Sequence, residues 1–564
     1  MIDNMKKILL IVTLYVGLSA CAATDALHKP AGQAVASAHP AATQAGIDTL
    51  NKGGNAFDAA IAVSAALAVV EPYSSGLGGG GFWLLHRASD GKQVMIDGRE
   101  VAPSNAHRDM YLDAKGEPVK SASVDGALAA GIPGLPAGLV HLAKYYGRLT
   151  LAASLQPAIQ LAEQGFAVNH HYQRMAGFRK TVLAASESSK GIFLNAGEVP
   201  DVGAIIIQND LATTLKLLAS DGYAGFYKGD VAEKLVQGVR QAGGIWTMKD
   251  LENYRIKERD PVVIQYKNMR ITSAALPSSG GLVLTIALNI LQQYDLSTMD
   301  EATRIHVVVE AMRRAYRDRA LYMGDSDFVK VPISMLTKKS YAQSLASNLT
   351  IDKATPSQTL TGLNEWEGHD TTHFSVLDKA GNRVAATLSI NYPFGSGFVP
   401  AGTGVLLNDE MDDFSMKPGT PNVYGLVGGT ANAIQPNKRM LSSMSPTFIE
   451  TNKMVGILGT PGGSRIISMV LLGILDAAQG TAPKSWVSLP RYHHQYLPDV
   501  IQHEPNTFSD EVATELVQKG HRLKSVGRAY GNMQAIAWDK RNHYISAASD
   551  PRGAGQAIVE RVKR

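Results

Sequence analysis

The sequence predicts an α+β fold around a large buried core, and three observations carry that expectation. Residues 55–70 are dense in Ala, Ile and Val and read as a helix apolar on nearly every side. Strand-like segments follow one another after Thr371. Hydrophobic residues make up 45% of the 564, ample for such a core. Length alone is compatible with about two to four domains. The formal charge of +4 is small for this size, and no Lys/Arg stripe interleaves with aromatics. Nucleic acid is therefore not the expected partner, and a small substrate is.

At the N-terminus, Lys6 and Lys7 precede an apolar stretch at residues 8–20. It is shorter than the roughly 20 residues that span a bilayer and reads as a signal-peptide core, so the mature protein is expected to be exported. Cys21 is the only cysteine, which rules out an internal disulfide and a multi-cysteine metal site. Leu18-Ser19-Ala20-Cys21 resembles a bacterial lipobox, which would make Cys21 the lipidated first residue of a periplasmic, membrane-anchored protein. Ordinary cleavage at Cys21-Ala22-Ala23 is the alternative.

After the apolar helix comes a glycine run, Ser74 to Phe82. It lacks the Lys-Ser/Thr ending of a phosphate loop and leads into the strand-like Phe82-Trp83-Leu84-Leu85, so close backbone packing is the expected use. Residues 156–164 read as a helix with Pro157 in the first turn and Gly165 at the end. Residues 303–323 read as a longer helix whose Arg313, Arg314, Arg317 and Arg319, mixed with Glu310 and Asp318, suggest a solvated face. Residues 356–370 are polar and aperiodic, a loop. Residues 373–377 and 383–390 read as strands joined by the turn at residues 378–382. Antiparallel pairs in that hairpin have numbers summing to roughly 760, which puts Thr371 opposite Ser389 or Ile390. Further strands are expected at 405–408, 447–450 and 454–458, then a tight loop at 459–463 and a helix at 464–475.

The chemistry converges on Asp370-Thr371-Thr372. A threonine freed as a new N-terminus carries a hydroxyl nucleophile together with an amine that can serve as its base. That amine titrates near pH ~7.7–8.0, so a useful fraction is neutral at working pH. Thr-Thr alone is common in strands; the hairpin that sets Ser389 against Thr371 adds weight. Gly462 and Gly463 precede a helix and can turn unpaired amides toward developing negative charge, an oxyanion hole, or simply form a helix entry. Glu410, Asp412 and Asp413 could hold an ammonium or form a solvated turn. Ser442 and Ser443 could donate to a carboxylate or serve a turn, and Arg99 could clamp a carboxylate or make a surface ion pair. His493 and His494 face opposite ways if on a strand, and with His503 show no His-Glu-x-x-His spacing; no metal is expected there.

Taken together, these segments resemble the γ-glutamyltranspeptidase family of N-terminal-nucleophile hydrolases, from roughly Gly53 to Ser549-Asp550-Pro551-Arg552. The resemblance runs through Gly76 to Phe82, Pro277-Ser278-Ser279-Gly280-Gly281, Gly324-Asp325-Ser326-Asp327-Phe328, Thr371-Thr372-His373, Met411-Asp412-Asp413-Phe414, Leu441 to Pro446 and Pro461-Gly462-Gly463-Ser464-Arg465. It implies a four-layer αββα sandwich from one precursor that cuts itself between Asp370 and Thr371. A signal peptide at 1–20 would precede a large subunit, 21–370, and a small catalytic one, 371–564, held as a heterodimer. Thr371 would be the nucleophile, Thr372 packed beside it, Ser389 orienting its hydroxyl, and Gly462 and Gly463 the oxyanion-hole amides. Arg99, Ser442 and Ser443 would bind the α-carboxylate of a γ-glutamyl group, and Asn391, Glu410 and Asp413 its α-ammonium. Ser389 stands where many members have threonine, and Glu410 where some bacterial members have glutamine. Residues 421–426 resemble a lid with Tyr424 as its covering aromatic, a feature that related cephalosporin acylases lack. The implied reaction cleaves γ-glutamyl amides such as glutathione through a γ-glutamyl-threonine ester and passes the group to water, amino acids or dipeptides, without a cofactor. An acylase or poly-γ-glutamate depolymerase on the same scaffold, or a non-catalytic lipoprotein that binds glutamyl peptides, are the alternatives.

Overall fold

The computed structural model describes residues 29–357, 371–417 and 419–561. Cys21 with its leader, and Glu367, Gly368, His369 and Asp370, lie outside the described residues.

Two sheets form the centre. The larger has seven strands in the order Gln556–Arg561, Gly32–Ser37, Thr372–Leu377, Arg383–Ser389, Gly80–His86, Gln93–Gly98 and Lys257–Arg259. The second has six, ordered Ile545–Ser549, Gln534–Asp539, Met454–Gly459, Thr447–Glu450, Met269–Ser273 and Val262–Tyr266. Every pairing within these two sheets is antiparallel. The sheets face each other where Thr372–Leu377 and Arg383–Ser389 meet Met454–Gly459. The fit there is close: a Cβ on Gly459 would lie 2.3 Å from the His373 ring.

Alternation along single strands explains why the strands read as nearly continuous apolar runs. In Gly80–His86, Phe82 and Leu84 join the core between the sheets, and Trp83 and Leu85 join the core under the helices. Pro40–Asn51, Ala56–Val70, Leu135–Tyr145 and Leu151–Gln164 build that outer layer. Gly280–Leu291, Glu301–Tyr322 and Ile466–Ala477 cover the six-stranded sheet. The result is the four-layer αββα arrangement. Each sheet draws strands from both sides of Thr371, so the segment before it and the segment after it interleave through the hydrogen-bond ladders. Neither segment can bury its strands alone.

Ala56–Val70 is buried at every position and opens on an Asn55–Asp58 capping box. The glycine run serves close approach: a Cβ on Gly78 would sit 2.1 Å from the Leu406 carbonyl oxygen. Three expectations need correction. The helix Leu151–Gln164 begins earlier than predicted, which leaves Pro157 inside it rather than in its first turn. Residues 405–408 form no ladder strand; they meet the run through an isolated Gly78–Leu407 bridge and through Asn408, whose amide and side chain both donate to the Gly78 carbonyl. The arginine-rich helix Glu301–Tyr322 is not solvated: Glu310, Arg313, Arg314, Asp318 and Arg319 are all buried. Hydrophobic residues at 305, 307–309, 311, 312 and 315 occupy more than one face of it, so its arginines are covered on the remaining side too.

Candidate active site

The hairpin places the proposed nucleophile. Thr372 pairs with Leu388, their numbers summing to the predicted value, and Thr371 and Ser389 come side by side with hydroxyl oxygens 3.5 Å apart. Both side chains line a small cavity together with Arg99, Asn391, Glu410, Asp413, Tyr424, Ser442, Ser443 and Gly463. Thr372 points to the other face, where its hydroxyl donates to Glu71 at 2.7 Å. Ser389 Oγ also accepts the Asn391 amide at 2.8 Å. That bond helps hold Asn391 at a φ of +72°, a left-handed conformation that asparagine tolerates better than most residues. The Asn391 side chain spends its N–H groups on Asp409, at 3.1 and 3.2 Å, which leaves its carbonyl oxygen as an acceptor.

Arg99 leaves the end of strand Gln93–Gly98 and bridges Glu410 and Asp413, each at 2.5 Å, with Glu100 at 3.7 Å. Three buried carboxylates therefore surround one guanidinium. Burial opposes the Arg99 charge, but Glu410, Asp413 and Glu100 outweigh it and hold its pKa above the usual value. Burial raises the carboxylates: Glu410 to about 7, against the pull of Arg99, with Asp413 raised too and Glu100, beside the charge of Glu410, raised strongly. The cationic and anionic groups that line the cavity are thus already paired with each other. A zwitterion that enters exchanges one set of ion pairs for another rather than desolvating bare charges.

Opposite lies the loop after strand Met454–Gly459. Gly462 and Gly463 have φ of +140° and +53°, and neither amide has an acceptor among the described residues. The Tyr424 ring packs on Gly463 so closely that a Cβ there would lie 2.4 Å from Cδ1. Tyr424 is fixed in turn by its hydroxyl, which donates to the Asn391 carbonyl at 2.5 Å. Its segment is pinned to the acidic turn: Asn422 donates to Asp413 at 3.0 Å and the Val423 amide to Asp412 at 2.8 Å. Asp412 therefore anchors the segment at residues 421–426 and is not among the residues lining the cavity. Gly462 does not line it either.

Sequence reasoning missed Glu71, Glu100 and Arg319. Glu71 is fully buried behind Thr372, and burial lifts its pKa to about 7 against hydrogen bonds from Thr372 and Tyr73. Arg319 donates to Ser443 Oγ at 3.3 Å. The apolar residues all round its helix were the signal that could have found it.

The histidines weighed for a metal are tied up locally: His493 bonds Ser468 and Gln495, and His494 bonds Asp499 at 3.2 Å. A different buried group, His306, Glu310 and His521, brings possible ligand atoms within 4.8 Å of one another. Both Glu310 oxygens there are paired with guanidinium groups, Arg313 at 3.0 Å and Arg314 at 2.5 Å. Two cations on the one carboxylate oppose a metal at that place.

Comparison with known proteins agrees with this geometry. The γ-glutamyltranspeptidase family model matches residues 42–560. The chain is 43% identical over 525 residues to the glutathione hydrolase proenzyme of Escherichia coli, which covers 92% of this chain and 90% of that protein. Among solved structures, a cephalosporin acylase from Bacillus halodurans superposes with a TM-score of 0.83 at 29% identity, over 94% of this chain and 96% of that one. A γ-glutamyltranspeptidase chain from Helicobacter pylori gives a TM-score of 0.55 at 40% identity, over 57% of this chain and 92% of that one.

Proposed function

The chain belongs to the γ-glutamyltranspeptidase family, and from that premise we propose that Thr371, freed by self-cleavage after Asp370, is the nucleophile with which it transfers γ-glutamyl groups. The protein is an enzyme of that kind, a γ-glutamyltransferase and glutathione hydrolase made as a proenzyme.

In maturation, Thr371 Oγ1 attacks the carbonyl carbon of Asp370. The peptide C–N bond breaks, its nitrogen becomes the Thr371 amine, and water hydrolyses the ester to leave residues up to 370 as the large subunit and residues 371–564 as the small one. In turnover, the amine takes the hydroxyl proton as Oγ1 attacks the γ-amide carbon, and returns it to the departing amine. The Gly462 and Gly463 amides meet the oxyanion. Water or an acceptor amine then attacks the ester and releases glutamate or a new γ-glutamyl amide.

The observation that carries this reading is the juxtaposition, in one small cavity, of the Thr371 hydroxyl with Arg99, Glu410 and Asp413. Arg99, Ser442 and Ser443 take the donor's α-carboxylate, and Glu410, Asp413 and the Asn391 oxygen take its α-ammonium. A site that reads both charges needs a glutamyl group and leaves an acylase acting on uncharged or monovalent acyl chains without its recognition. Glutathione and the matching glutaryl amide, which lacks the ammonium, form the test: the mature enzyme cleaves the first and turns over the second at least about 100-fold less efficiently. Comparable rates would return the acylase reading. We also propose that the protein is exported and anchored through lipidated Cys21; no helix among the described residues is long and apolar enough to cross a membrane. Release of the native protein by osmotic shock without detergent would contradict the anchor.

A further inference from the structure

Arg99 cannot by itself attract a carboxylate strongly, because Glu100, Glu410 and Asp413 already surround it. A second guanidinium reaches the same wall from behind. Arg319, on the helix Glu301–Tyr322, is 5% exposed, and among the described residues no carboxylate lies within the 4.0 Å of an ion pair with it. Its Nε donates to Ser279 Oγ at 2.9 Å, and its Nη2 to Ser443 Oγ at 3.3 Å. Ser279 in turn donates to the Ser442 carbonyl through both its amide, at 2.8 Å, and its hydroxyl, at 2.7 Å. The Ser442 hydroxyl oxygen accepts the Met444 amide at 3.1 Å.

Each serine oxygen accepts one bond, from Met444 N–H at Ser442 and from Arg319 at Ser443, which leaves each O–H free to donate, and both serines line the cavity. A buried cation with no direct ion pair is costly to keep, and the more distant charge of Asp413 offsets only part of that cost. Burial lowers the Arg319 pKa only to about 10, so the charge persists at neutral pH, and a ligand anion next to Ser443 would repay it.

We propose that Arg319 is a positioning residue for donor binding: it supplies a positive charge with no direct ion pair behind Ser443 and holds Ser443, and through Ser279 the Ser442 backbone, so that both hydroxyls can donate to the α-carboxylate of the γ-glutamyl group. The inference rests on the assignment of those serines and Arg99 to that carboxylate.

The test compares two donors, γ-glutamyl-p-nitroanilide and 4-aminobutyryl-p-nitroanilide, which lacks only the α-carboxylate. Rates are normalised to the matured fraction of wild type, Arg319→Met, Arg319→Lys and Arg99→Met. Loss of a charge-assisted contact predicts a KM for the γ-glutamyl donor raised about 10- to 100-fold in Arg319→Met. The kcat/KM of the 4-aminobutyryl compound should stay within about threefold, and Arg319→Lys should recover much of the lost affinity. An equal fall with both donors would mean a merely structural role and overturn the inference. If Arg99→Met raises KM while Arg319→Met does not, the inference fails and the donor-site reading stands; if neither raises it, the donor-site reading fails as well. Should Arg319→Met not mature, Arg319→Lys decides. Its single ammonium cannot reproduce the fork to two serines, so KM rises about threefold or more for the γ-glutamyl donor alone, and an unchanged ratio between the donors overturns the inference.

Discussion

Replacing Gly463 by alanine tests the proposed oxyanion loop and the proposed lid in one step. A Cβ at this position would lie 2.4 and 2.5 Å from Cδ1 and Cε1 of Tyr424, whereas carbon atoms rest at about 3.5–4.0 Å. The ring must retreat by more than about 1 Å, or the loop must move and carry the Gly463 amide with it. The ring is held by its hydroxyl bond to the Asn391 carbonyl, 2.5 Å long, whose loss costs about 1 kcal/mol. Alanine at a φ of +53° adds about 1–2 kcal/mol. Loss of one oxyanion donor typically lowers kcat by about 10²–10³-fold. Gly463→Ala, assayed for glutathione cleavage on the matured fraction alongside a melting curve, should therefore show kcat down by about 100-fold or more and a lower melting temperature. Adding Tyr424→Ala should recover part of the stability, since the clash disappears, but not the rate. A Gly463→Ala enzyme with kcat within about threefold of wild type would refute the reasoning.

Ser389→Ala removes the hydroxyl facing Thr371 and the acceptor of the Asn391 amide; steady-state glutathione kinetics should show kcat/KM reduced by about tenfold or more, with Ser389→Thr close to wild type. Glu71 has a folded pKa raised by burial to about 7 from 4.5. Its neutral form is favoured on folding, so that stabilisation is complete below pH 4.5 and is lost as pH rises to about 7, ~3 kcal/mol in all. Melting temperatures across that window should fall less steeply in Glu71→Gln than in wild type, and parallel slopes would remove the assignment. Asp499 pairs with Arg313 and accepts the Ser357 amide at 2.8 Å, tying residues on both sides of the proposed cleavage point together; Asp499→Ala leaves a buried guanidinium half-satisfied and should cost about 3 kcal/mol in urea unfolding.

Local structure was legible wherever neighbouring residues decide it. The turn at residues 378–382 fixes the hairpin register, and with it the Thr371–Ser389 approach, because antiparallel pairing follows arithmetically from the turn. Thr447–Glu450 has the predicted bounds, since a short buried strand between turn residues leaves little freedom. The assembly of Arg99 with Glu410 and Asp413 depends on contacts across more than 300 positions, and only the family resemblance, not spacing, suggested it. The helix carrying Arg313 and Arg319 failed for the same reason. Charge pattern along one helix says what its face is made of, while the layers packed on it decide whether that face meets water. Glu71 and Glu100 went unseen because a lone carboxylate in sequence carries no mark of burial. Residues 405–408 look like a strand but run where a glycine at Gly78 lets another backbone come close, and a single bridge replaces the ladder.

The central claim is that Thr371 becomes the N-terminus and the acylated residue. Intact-mass spectrometry of the purified protein, before and milliseconds after mixing with a γ-glutamyl donor, tests it most directly. The account predicts two polypeptides, the smaller beginning at Thr371 and heavier by one glutamyl group after mixing, with Thr371→Ala remaining a single uncut chain. A wild-type protein that stays uncut yet hydrolyses glutathione, or a glutamyl adduct on any residue other than Thr371, would contradict it.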